Sequence, residues 1–143
     1  MSSPTPPTVF LDRSFLLALD NGAIDVAEDR ERALECYRSL VDRYEAHEIR
    51  LRARTDVLDA VSPRARTFAG FATLGKHADL LAPVERIHIA GQHRRAAARL
   101  RLPVPVEPDI ALTLVLMRRE SITRIATFEP AFDEFDLTVL PER

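Results

Sequence analysis

The sequence predicts an α/β fold: a three-layer α/β/α sandwich around a central, mainly parallel sheet of about five strands. Two patterns predict it. Short apolar runs of strand length recur along the chain, and segments with a helical apolar stripe separate them. Strands separated by helices imply parallel pairing with right-handed crossovers. The 143 residues fit one domain and leave little room for a second.

The elements follow in order. Met1 to Pro7 is rich in Ser, Thr and Pro and reads as a short flexible tail, so residues 8–143 are expected to form the single domain. Thr8-Val9-Phe10-Leu11 is an apolar run ending at Asp12, read as a buried strand. Ser14 is placed as the cap of a short helix carrying Phe15, Leu16, Leu17 and Leu19, which stops near Asn21-Gly22. From Asp25 to about Tyr44, Val26, Ala33, Tyr37, Leu40, Val41 and Tyr44 fall on one helical stripe. Ile49, Leu51 and Ala53 mark a second strand, and Thr55 is a candidate cap for a helix with Val57, Leu58 and Val61. Pro63 interrupts that helix, and Arg64 to Leu74 is helical again, turning Phe68, Phe71 and Leu74 toward a core.

The second half continues the alternation. Ile87 to Ala90 is a third strand and Gln92 to Leu100 a short Arg- and Ala-rich helix. Pro108 suits the first turn of the next helix, where its missing amide hydrogen costs nothing. That helix runs to about Arg119 and is apolar nearly all round, as a central buried helix would be. Thr123 to Thr127 is a fourth strand, Pro130 to Phe135 a turn of helix, and Leu137 to Leu140 a fifth strand.

Composition excludes several classes of function. Hydrophobic residues make up 46% and charged residues 29%, the balance of a core-forming protein. The net charge of -2 gives no global attraction to nucleic acid, although a local basic patch is compatible with it. No apolar run approaches the ~20 residues of a membrane span, and no charged and apolar leader is present, so a cytoplasmic protein is expected. Cys36 is the single cysteine, so no internal disulfide forms, and its apolar neighbours indicate a structural thiol. The four histidines, His47, His77, His88 and His93, lack zinc spacing. Neither a Gly-rich phosphate loop nor a Ser-centred nucleophile elbow is present.

In parallel α/β sheets the ligand site lies beyond the carboxyl ends of the strands. Those positions hold Asp12, then Asp56 and Asp59, then Glu129, while Asp109 opens the buried helix. Such carboxylates could share a hard divalent cation, which favours oxygen ligands. Each also has an ordinary structural reading: Asp12 and Asp56 as turn or helix caps, and Asp109 as a complement to its helix dipole.

The stretch Val9-Phe10-Leu11-Asp12-Arg13-Ser14-Phe15-Leu16-Leu17-Ala18-Leu19 resembles the opening strand and turn of PIN domains. There an Asp, with a Ser two residues later, begins an acidic site. Leu112 to Arg119, followed by Ile122-Thr123-Arg124-Ile125-Ala126-Thr127-Phe128-Glu129-Pro130-Ala131-Phe132, resembles the closing helix and strand of that family. The order of elements matches over nearly the whole chain. Glu129 stands where the family carries Asp. Asp109 falls one residue before the usual acidic position, which Ile110 fills. Asp59 is the nearest counterpart of the Glu that follows the second strand.

The resemblance implies a metal-dependent endoribonuclease of the VapC toxin type, which hydrolyses RNA phosphodiester bonds with Mg2+ or Mn2+. It implies Asp12, Asp109 and Glu129 as metal ligands and catalytic residues, Asp59 as a further catalytic candidate, and Ser14 in support through hydrogen bonds. It further implies Arg13, Arg118 and Arg119 as arginines that hold RNA phosphates, although a solvated surface face is the ordinary reading of the last two. The implied partners are an RNA substrate, a small antitoxin protein and a second copy of the chain in a homodimer. The apolar residues Phe15, Leu16, Leu17, Tyr37 and Tyr44 belong either to the core or to a groove for such a partner. Two rival readings stand beside the nuclease: a catalytically impaired PIN-like binding module, motivated by the offset acids, and an unrelated α/β protein with a small-molecule or phosphate pocket.

Overall fold

A run of β-rich residues buried on both faces becomes a central strand, and Val9, Phe10 and Leu11 are all essentially inaccessible. They belong to β1 (Thr8–Leu11). The computed structural model describes residues 5–19, 27–61 and 81–142. Next come α1 (Arg13–Leu19), α2 (Ala27–Glu45), β2 (Arg50–Arg54) and α3 (Thr55–Ala60). Then follow β3 (Val84–Ile87), α4 (Gly91–Arg99), α5 (Pro108–Arg119), β4 (Arg124–Ala126), a 3-10 turn (Pro130–Glu134) and β5 (Thr138–Leu140).

The five strands form one sheet in the order β3-β2-β1-β4-β5. Every pairing is parallel, with Phe10 opposite both Arg52 and Ile125. The alternation of side chains along the strands splits the core in two. Val9, Leu11, Leu51, Ala53 and Ala126 point to the face covered by α1, α2 and α3. Phe10 and Ile125 point to the other face, where Ile110, Leu114 and Met117 of α5 pack on them. This is the three-layer α/β/α arrangement that the sequence predicts. Phe15, Leu16 and Tyr37 are fully buried and Tyr44 packs half-buried against the same cluster, which gives these four to the core rather than to an open groove, while Leu17 is half-buried.

Element boundaries moved in several places. The third strand lies at Val84–Ile87, three residues earlier than its apolar run, because Val84 and Ile87 are the residues that register with Leu51 and Arg54 of β2. Ser14 does not cap α1. Asp12 precedes that helix, and its Oδ2 accepts the Ser14 amide at 3.4 Å. Thr55 does not cap α3 either, since its hydroxyl donates to the Ile87 carbonyl at 3.2 Å and ties α3 to β3. His93 supplies half of a capping box: its Nδ1 accepts the Ala90 amide at 2.9 Å at the start of α4. The expected helix stop at Asn21-Gly22 and the expected helix over Arg64 to Leu74 lie outside the described residues.

Two helices end in Schellman motifs without glycine. At the end of α2, His47 has φ 61° and the Glu48 amide reaches the Arg43 carbonyl at 2.9 Å. At the end of α5, Ser121 has φ 56° and the Ile122 amide reaches the Met117 carbonyl at 2.8 Å. The second motif reverses the chain from α5 directly into β4.

Candidate active site

The order β3-β2-β1-β4-β5 changes direction at β1, so the topological switch point lies between β1 and β4. Two polar residues stand there, each one step past its strand. The Asp12 amide continues the ladder by donating to Ala126 at 2.9 Å, and the Thr127 amide donates to Leu140 at 2.8 Å. The backbone is therefore held on both sides where the side chains emerge.

Asp12 is 6% exposed and Thr127 1%. Asp12 Oδ2 accepts the Thr127 hydroxyl at 2.7 Å and the Ser14 hydroxyl at 3.0 Å. Those two hydroxyls are 3.0 Å apart. Ser14 Oγ also accepts the Phe128 amide at 2.9 Å, and Thr127 Oγ1 accepts the Glu129 amide at 3.0 Å. Each hydroxyl thus receives a backbone proton and passes its own toward the carboxylate. Burial pushes the Asp12 carboxyl above its ordinary value, against the pull of the Thr127 and Ser14 hydroxyls and the Arg13 and Ser14 amides.

The second polar group is centred on Arg54, the last residue of β2. Its side chain is 5% exposed. Nε and Nη2 donate to Asp56 Oδ1 and Oδ2 at 3.0 and 2.6 Å, a bidentate fork. Nη1 donates to Asp109 Oδ1 at 2.7 Å, to the Asp109 carbonyl at 3.4 Å and to Thr113 Oγ1 at 3.2 Å. Asp109 and Thr113 are four residues apart and share one face of α5. Burial lowers the Arg54 pKa, but the hydrogen bonds to Asp56 and Asp109 outweigh it and the net shift is upward. Burial raises the Asp56 pKa, and the bonds to Arg54 outweigh that and lower it.

The acids named from the sequence therefore have different fates. Asp12 is gathered with Ser14 and Thr127 at the switch point. Asp109 is held by Arg54. Glu129 Oε1 accepts the Ala131 amide at 3.3 Å and caps the 3-10 turn. Asp59 pairs with Arg86 at 2.8 Å on an exposed face. Among the described residues no group of three or more His, Cys, Asp or Glu side chains forms a potential metal site. Asp12, Asp109 and Glu129 do not make up such a group as they stand. Arg13 begins α1 beside Asp12, whereas Arg118 and Arg119 end α5, roughly 14 Å along the helix from Asp109.

Two features escaped the sequence reading. Arg54 had a signal: in Arg50-Leu51-Arg52-Ala53-Arg54 the arginines alternate with core residues, so Arg54 shares the face that meets α5. The other is a groove of about 990 Å³ between α4 and α5, lined by Arg94, Arg101, Leu102, Val106 and Asp109. Its signal was the segment from His88 to Val106, which carries four arginines and no acid.

No family model matches the sequence, and no curated protein matches it. Among solved structures the chain is similar to Mycobacterium tuberculosis VapC20, a toxin that cleaves the sarcin-ricin loop. The two are 14% identical with a TM-score of 0.53, over 90% of this chain and 98% of the other. At that identity the likeness is one of fold.

Proposed function

We propose that this chain, which has the fold of a VapC-like PIN domain, is an endoribonuclease of the VapC toxin type with Asp12 as its essential carboxylate. One observation carries the reading: a nearly buried Asp12, fixed by two hydroxyls at the switch point of the sheet. A carboxyl whose pKa lies above the ordinary range is a better base, and fixed hydrogen bonds keep it aimed at one position. Ser14 and Thr127 act as positioning residues. Glu129 and Asp109 stand on neighbouring elements, and Asp59 lies further out with Arg86. The groove between α4 and α5, with Arg94 and Arg101, suits the phosphates of an RNA strand. Arg13, beside Asp12, is a further phosphate contact. A small antitoxin protein and a second copy of the chain are the protein partners that this reading carries.

The test is cleavage of a fluorescent single-stranded RNA, with Mg2+, with Mn2+ and with chelator, by the wild type and by Asp12→Ala. Cutting by the wild type and its loss in the variant is the expected result. Equal cutting by both proteins sinks the assignment.

A second reading is a PIN-like module that binds RNA or protein without cutting. The engagement of Asp109 by Arg54 favours it. RNA retention without cleavage in any of the three conditions would select it.

A further inference from the structure

We propose that Arg54 is the resident cation of the acidic edge, and that its guanidinium withholds Asp109 from any divalent ion. The inference rests on the ribonuclease reading only for its meaning as a control of that site; its test uses no RNA.

The geometry is specific. The parallel register that sets Phe10 opposite Arg52 carries β2 on to Arg54, its last residue, at the carboxyl edge of the sheet. From there Arg54 reaches across the layer to α5 and places one nitrogen on both Asp109 and Thr113. Its other two nitrogens lie on Asp56. Thr113 is fully buried, so this end of the guanidinium is seated inside the protein rather than resting on its surface.

Asp56 and Asp109 are 45% and 43% exposed, so water reaches both carboxylates while the cation between them is 5% exposed. A divalent ion that took Asp109 would strip a buried guanidinium of a charged partner and stand against its positive charge. A side chain on a strand end, fixed to a helix by three hydrogen bonds, cannot swing aside as an exposed arginine can. Arg54 is a positioning residue: it acts through Asp109 and is not itself assigned to the reaction.

Mn2+ binding to the intact chain tests this, followed by the electron paramagnetic resonance of the free ion. The wild type and Asp109→Asn should bind Mn2+ equally, because Asp109 contributes nothing while Arg54 holds it. Arg54→Met should bind Mn2+ at least about tenfold more tightly, since a positive charge is gone from the site. The double variant Arg54→Met/Asp109→Asn should lose that gain. Weaker Mn2+ binding by Asp109→Asn in the wild-type background would overturn the proposal, as would a folded Arg54→Met with no gain. Should Arg54→Met not fold, the comparison of wild type with Asp109→Asn decides alone. Absence of ribonuclease activity leaves each of these outcomes readable.

Discussion

Thr127 donates its hydroxyl to Asp12 at 2.7 Å, joining residues 115 positions apart at the point where the sheet reverses its order. Both residues are buried, so the bond holds the carboxyl in a place where water contributes little. Thr127→Val keeps the shape and removes the donor. The variant should lose about 1–3 kcal/mol of stability, because Asp12 is left short of a partner in a buried position. Urea denaturation of the wild type and variant would check it; a change below about 0.5 kcal/mol would contradict the account.

The upward shift of Asp12 has a definite sign in stability. A carboxyl with a higher pKa folded than unfolded favours folding in its protonated form. That contribution is full below the unfolded pKa and is lost as pH rises through the folded pKa. Asp12→Asn removes the titration. The stability of the variant relative to the wild type should therefore rise with pH from below 3.8 and level off above the folded pKa of Asp12. Denaturation midpoints of both proteins across the acid range measure the difference, and a flat difference would refute the shift.

Asp56 and Asp109 share one buried guanidinium, so their removal should not be additive. Either substitution to Ala leaves Arg54 one charged partner. Both together leave it none, and the double variant should be less stable than the sum predicts by about 1–2 kcal/mol. A double-mutant cycle in urea gives the coupling directly.

The left-handed residues that end α2 and α5 are not glycines. A side chain there carries a steric cost that glycine avoids. His47→Gly and Ser121→Gly should each stabilise the protein by up to about 1 kcal/mol, as the Schellman bonds are kept and the cost is removed. Thermal melts of the two variants test this, and destabilisation by either would show that the side chain contributes more than the backbone strain costs.

Burial, more than the opposing pull of nearby Arg32, pushes the Cys36 thiol up to about 11, with Glu35 adding to the rise. At pH 8 only about one molecule in a thousand would carry the thiolate. Alkylation by iodoacetamide should be slow at pH 8 and accelerate toward pH 11. Rapid modification at neutral pH would place Cys36 in a more open setting than the one seen.

The apolar runs and the spacing of helical stripes were enough to name the order of elements and the fold. β1 and α5 coincide with their sequence reading because each is apolar on every side and bounded by a sharp signal, Asp12 in one case and Pro108 in the other. The place of Asp12 was legible for the same reason: it ends a buried strand. The stops near Tyr44 and Arg119 were legible within a residue, but the left-handed turns that follow them were not, because His47 and Ser121 lack the glycine that announces such a turn and hydrogen bonds around them impose it instead. The third strand slipped for a related reason: its pairing with β2, rather than its own apolar run, chose which residues extend.

Local pattern by itself determined the layers, the parallel sheet and the single acid at the end of β1, since burial and backbone preference act over a few neighbouring residues. Only the tertiary structure decided which charges meet. Arg54 joins Asp109 across 55 positions because strand register and the seating of α5 bring their side chains within hydrogen-bond reach. That choice of partner is set through space, by where rigid elements come to rest, and no stretch of the sequence encodes it alone.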